Sequence, residues 1–330
     1  MRTNSRLFGL RSAAVWELLK RNIAVVLAAL TWLTLASSPS RAQHIDYPLG
    51  FGGLLTAAQP PPSIYFNDQL SYYWAGGTKS PGLGPFNINV NHGLDVLINL
   101  TTAGWTTPFT VFGANYGMNV SLSLVNPNGS LDASTENGLF GVGRTSSKFG
   151  LSSTYVEPIN LGWHAPQYDV VTAFGFFAPT GSYNPSRVVN TGLGRWAEMF
   201  SLGGTLYSDA DRTWSVALEG RYLTHQSQQG LDRRAGDDFI LEGGAGRKFD
   251  SAIGPINVGV DGYAYWQISD LSGSAVPPVL SSIRGRVYAL GPEVTATTAY
   301  GRYYIRYFHE FGASDTPQGQ EVLVGLGLAF

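Results

Sequence analysis

Between Ser63 and Phe330 the chain keeps returning to one pattern, apolar and polar residues alternating with a period of two. That period places the two sets on opposite faces of a β-strand. The clearest run is Phe86–Leu100: Phe86, Ile88, Val90, Leu94, Val96, Ile98 and Leu100 share one face, with Asn87, Asn89, Asn91, Asp95 and Asn99 on the other. The next run, Thr110–Val125, sets Phe112, Ala114, Tyr116, Met118, Val120, Leu122 and Leu124 against Gly113, Asn115, Gly117, Asn119, Ser121 and Ser123. Both exceed the ~5–6 residues usual for strands of soluble proteins. A tilted strand crossing a bilayer needs about 9–11 residues within the lipid.

Similar runs at Ile64–Ala75, Gly150–Trp163, Tyr168–Phe177, Trp196–Tyr207, Thr213–His225, Asp238–Phe249, Ile256–Gln267, Arg284–Thr297, Gly301–Phe311 and Gln320–Phe330 bring the expected total to about twelve. Pro158 weakens one run, and Pro292 leaves the facing of another open. The connections sort by length. Gly76–Pro85, Asn126–Phe149, Ala178–Arg195, Gln226–Asp237, Ser269–Ile283 and Gly312–Gly319 are long, whereas His164–Gln167, Ser208–Asp211, Asp250–Pro255 and the turn near Ala299–Gly301 are short. Outer-membrane barrels show this asymmetry, with short periplasmic turns and longer outer loops. The expected fold is all-β, a transmembrane antiparallel β-barrel. Unpaired backbone groups are too costly in lipid for an open sheet edge, so the last strand must pair with the first.

Composition agrees. Charged residues make up 13% of the 330, against roughly 25% in ordinary soluble domains. Mean hydropathy is −0.01 and no long apolar run follows the amino terminus, which excludes a helical membrane bundle. The absence of Cys excludes thiol catalysis, thiolate metal sites and disulfides. Residues 1–42 have the form of a cleaved export signal: Arg2, Arg6, Arg11, Lys20 and Arg21 precede an apolar core, Ile23–Leu35, too short to span a bilayer. Ser40-Arg41-Ala42 places small residues for cleavage before Gln43. Removal leaves 15 Lys and Arg against 22 Asp and Glu, a net charge of about −7 that argues against a nucleic-acid partner. Residues 43–62, rich in Gly and Pro, form a periplasmic lead-in or a small plug, and residues 63–330 the barrel.

Trp and Tyr near strand ends (Tyr72, Trp74, Trp163, Tyr168, Trp196, Trp214, Tyr263, Tyr265, Trp266) are candidates for interfacial girdles. In the last run, Val322, Val324, Leu326, Leu328 and the terminal Phe330 line one face. This ending resembles the C-terminal signal of bacterial outer-membrane barrels, which implies delivery to the barrel assembly machinery and contact with outer-membrane lipid and lipopolysaccharide. A second resemblance rests on Glu157-Pro158 with Leu161-Gly162-Trp163, Ala178-Pro179-Thr180-Gly181-Ser182-Tyr183, Asn190 to Trp196, the Tyr222 region, Gly243–Phe249 and Gly291-Pro292. From about Pro61 to Phe330 the chain is similar to the bacterial meta-pathway phenol-degradation family, also termed outer-membrane transporters. Thr180 to Tyr183, with Pro179, carry its most specific part. The resemblance implies a barrel linked to uptake of aromatic or other hydrophobic compounds.

With apolar faces toward lipid, the expected lumen and solute path includes Asp95, Asp169, Glu219, Arg221, Glu242, Lys248, Asp261, Arg302, Arg306 and Glu310. Arg302, Arg306 and Glu310 share one face of a strand, placed to narrow a pore, to orient a carboxylate or phenolate, or to form a structural ion-pair network. Twelve strands imply a narrow channel or a ligand cavity. The expected role is therefore a passive channel for a small-molecule solute, with no cofactor. A lipid-hydrolase barrel is the enzymatic alternative. His225-Gln226-Ser227 is the His-x-Ser pair such a reading uses, but the strand pattern turns it inward or into a loop, away from arriving acyl chains. A non-conducting receptor or adhesin is the third reading. Asp232, Asp237 and Asp238 are candidate loop ligands for a divalent cation, more simply read as solvated carboxylates.

Overall fold

A computed structural model describes residues 45–78, 88–135, 141–187, 189–276 and 278–330. The expected signal, residues 1–42, and residues 79–87 lie outside them. Fourteen strands follow in order: β1 (Ser63–Thr78), β2 (Ile88–Val111), β3 (Ala114–Thr135), β4 (Gly141–Ser147), β5 (Gly150–Leu151), β6 (Thr154–His164), β7 (Tyr168–Ala178), β8 (Ala197–Tyr207), β9 (Trp214–His225), β10 (Asp238–Phe249), β11 (Ile256–Gln267), β12 (Arg286–Thr298), β13 (Gly301–Ser314) and β14 (Pro317–Ala329). One helical turn, α1 (Pro278–Ser281), sits between β11 and β12. Every pairing is antiparallel. The path β2-β1-β14-β13 and onward to β6-β3 is joined end to end by β2–β3, so twelve strands close a ring. The short β4 and β5 pair with β3 rather than entering that ring.

Closure depends on the first and last strands. Ser71 lies opposite Leu323 and Leu70 opposite Val324, and the Ile64 and Phe330 backbones exchange hydrogen bonds at the rim. That rim holds the short turns, so it faces the periplasm. Phe112 and Gly113 close β2–β3 with both residues at positive φ, the backbone of a tight hairpin whose twist suits its strands. The opposite, outer rim carries the longer connections with one exception. The expected long loop Gly312–Gly319 is a two-residue turn, 315–316, because β13 extends outward by pairing with β12 as far as Ser314 and β14 by pairing with β1 from Pro317.

The outer wall is apolar. Phe66, Leu70, Met118, Val120, Leu122, Leu124, Phe200, Leu202, Leu218, Val260, Ile305 and Val324 are exposed there, as a lipid-facing belt requires. Tyr72, Tyr168, Trp196 and Trp214 join it, whereas Tyr263 and Tyr265 point inward and do not belong to a girdle. One more facing differs from expectation. Leu94, Val96, Ile98 and Leu100 face the lumen, so Asp95 is exposed on the outer face opposite Trp74, and Asn99 follows it outward. A core lies inside the ring: Phe51, Tyr304 and Leu323 pack together, with Ile98 and Leu100 against them. The partner that drew β2's apolar face inward is therefore Phe51, which precedes the barrel.

Candidate functional site

Residues 45–62 occupy the lumen. Asp46, at the outer end, accepts two hydrogen bonds from Arg195, from Nε at 3.1 Å and Nη2 at 2.9 Å, and both side chains are fully buried. Arg195 belongs to the Asn190–Trp196 stretch that carries the family resemblance. Tyr47 donates to Glu242 at 2.8 Å beneath the Arg221 guanidinium. The Gly50 amide donates to the other Glu242 oxygen at 2.6 Å.

Further down, the segment meets more of the wall. The Leu54 amide donates to Glu293 at 2.9 Å, and Thr56 Oγ1 donates to Glu219 at 2.7 Å. At the inner end Gln59 Nε2 donates to the Asn160 side chain at 2.8 Å, and its oxygen lies 3.4 Å from His164 Nε2. Leu54 and Ala57 are almost wholly buried. The segment thus runs from the outer to the inner rim before the chain enters β1. The Gly50 and Leu54 amides, which lack strand partners, are satisfied instead by carboxylates on β10 and β12.

Arg306, on β13, is a second hub of the wall. Its Nε donates to Glu293 at 2.7 Å and lies 3.9 Å from Asp261, while Nη1 reaches the carbonyls of Gly50 and Phe51 at 3.3 and 3.1 Å. Gly50 and Gly53 both have positive φ, at 80° and 74°, and a side chain on Gly53 would collide with this guanidinium. Arg221 bridges Glu219 and Glu242 at 2.6 Å each. Alternating acids and arginines thus join segment and wall in one network.

The remaining expected lumen residues have separate places. Arg302, partly exposed, sits 3.8 Å from Glu293. Glu310 accepts from Tyr73, Tyr263 and the Gly319 amide at 2.8, 2.7 and 2.6 Å. Asp169 joins His164, Tyr207 and Arg212 at the inner rim, and Lys248 donates to the Asp211 carbonyl there. Asp95 is the exception, outside the barrel. Sequence reasoning misses Glu293, whose facing Pro292 obscures, and the pair Asp46–Arg195, because Arg195 lies in the loop between β7 and β8 where no period of two gives its direction. His225 points inward, its Nε2 3.4 Å from Asp46 and 3.5 Å from Asp238, away from any lipid face. Asp237 pairs with Arg234, Asp238 accepts from Tyr265 and Asp232 accepts from Ser274, so the three loop carboxylates do not converge. Among the described residues no His, Asp and Glu group is arranged to hold a metal.

Barrel and lumen together define a twelve-strand outer-membrane β-barrel with residues 45–62 threaded through its lumen. The chain belongs to the family described as "Putative MetA-pathway of phenol degradation", whose model matches residues 76–324. In fold it is similar to an outer membrane channel from Pseudomonas putida F1, with a TM-score of 0.61 and 11% identity over 83% of this chain and 97% of that one. The β domain of the Bordetella autotransporter BrkA aligns with a TM-score of 0.44 and 12% identity over 82% of this chain and 100% of that one. A Pseudomonas aeruginosa FadL homologue aligns at 0.37 and 9% identity over 88% and 96%. No curated protein matches in sequence.

Proposed function

We propose that the protein is a passive, gated conduit for small uncharged hydrophobic or aromatic solutes across the outer membrane, with residues 45–62 as the gate. The observation that carries this reading is the segment itself. It crosses the lumen, yet it holds the wall through separate hydrogen bonds and ion pairs rather than as a strand of the sheet. Such a contact set releases without unpairing the barrel. The family's description and the apolar inner face of β2 support the hydrophobic solute.

The ion network argues against a carboxylate- or phenolate-orienting role for Arg306. Arg306 is already engaged by Glu293 and two segment carbonyls. Entry of labelled phenol and of sucrose into vesicles with a lipopolysaccharide outer leaflet tests the proposal, with and without the protein. Faster phenol entry with unchanged sucrose entry is the expected result. Equal acceleration of both means a general pore, and no acceleration of either sinks the conduit reading.

A further inference from the structure

We propose that the outer half of the lumen is a binding site for one uncharged aromatic ring, built jointly by residues 45–51 and the barrel wall. This deepens the solute reading above but stands on a separate observation. A cavity of ≈ 160 Å³ opens there. An apolar cavity of about 150 Å³ is enough to take up benzene. Phe51 and Leu49 of the segment form one side, and Leu94, Val96 and Ile98 of β2 form the other. These β2 residues are the ones expected to face lipid and found facing the lumen.

Charge sets the class of ligand. The lining acids are Glu310, Glu321 and Asp315, and among the described lining residues there is no Lys, Arg or His. Glu310 holds the hydroxyls of Tyr73 and Tyr263, and Ser71 donates to Glu321. An aromatic carboxylate entering here would lose its water and find no Lys, Arg or His among the lining residues to replace it. A phenol carries no such penalty, and its hydroxyl has carboxylate oxygens and tyrosine hydroxyls within the same cavity as partners. The site therefore selects neutral rings over aromatic acids of equal size.

Fluorine NMR of the detergent-folded protein with 4-fluorophenol and 4-fluorobenzoate at pH 7 tests this. The phenol should bind with saturation, and the benzoate at least tenfold more weakly. Ile98→Trp, which fills the cavity, should cost phenol binding tenfold or more, and Val96→Phe serves if that variant fails to fold. Benzoate binding as tight as phenol, or phenol binding indifferent to both fillings, overturns the site. Because binding is read without transport, loss of the conduit reading with saturable phenol binding retained leaves the site standing. Transport without such binding removes the site alone.

Discussion

Arg306 shows how a lumen charge in this protein is spent on the segment rather than on water. A buried cation is tolerable only with close counter-charges and acceptors, and Glu293, Asp261, Gly50 and Phe51 supply them. Removing one member of a buried pair costs about 3–5 kcal/mol, because the other stays buried without its partner. Arg306→Met is therefore expected to loosen the segment while leaving the backbone ladder intact. Planar-bilayer recording should show several-fold more open-channel current, and unchanged current would mean that Arg306 does not hold the gate. Asp68 makes the complementary point on the lipid side. It faces outward between Phe66 and Leu70 and is held by Asn99, 3.1 Å, and Thr101, 2.6 Å, a local cluster that compensates a carboxylate misplaced by simple alternation.

At the scale of elements, β2 explains why alternation reads the two faces of a strand but not which is inside. Its apolar set looked lipid-facing because lipid was the only apolar partner visible along the sequence. Phe51 offered another. β6 shows a related effect, since the ladder shifts register around Pro158, which cannot donate to it. The segment's own shape depends on Gly50 and Gly53, whose positive φ suits glycine. Gly53→Val combines backbone strain with a clash against Arg306, so the segment should undock while the barrel persists. The expected outcome is faster proteolysis confined to residues 45–62, with the heat-modifiable gel mobility of the barrel unchanged. Protection equal to the parent chain would contradict the docking described here.

For the whole molecule, the direction of the segment bears on export. Its first described residues lie at the outer end, beside Arg195, and it descends to the inner rim before β1. A retained inner-membrane anchor ahead of it would need its chain drawn through the barrel to the outer face. Cleavage before Gln43, the processing expected from the sequence, would remove that demand and leave two residues ahead of Ile45. Intact mass of protein extracted from outer membranes should therefore correspond to residues 43–330. A mass that retains residues 1–42 would refute the processing, and with it this account of how the lumen is filled.

Strand number, antiparallel closure, the lipid belt and the pairing of Phe330's strand with the first were all legible in the sequence. They follow from a two-residue period and from the cost of unpaired backbone in lipid, both local to each strand. The inward placement of Glu219, Arg221, Glu242, Asp261, Arg306 and Glu310 was legible for the same reason. What those residues meet was not. Residues 45–62 have no periodicity, and their partners lie 101 to 239 positions away for contacts such as Gln59–Asn160 and Leu54–Glu293. Only the closed barrel brings such distant groups together. That is why the network, the reversed face of β2 and the cavity between them belong to the tertiary structure alone.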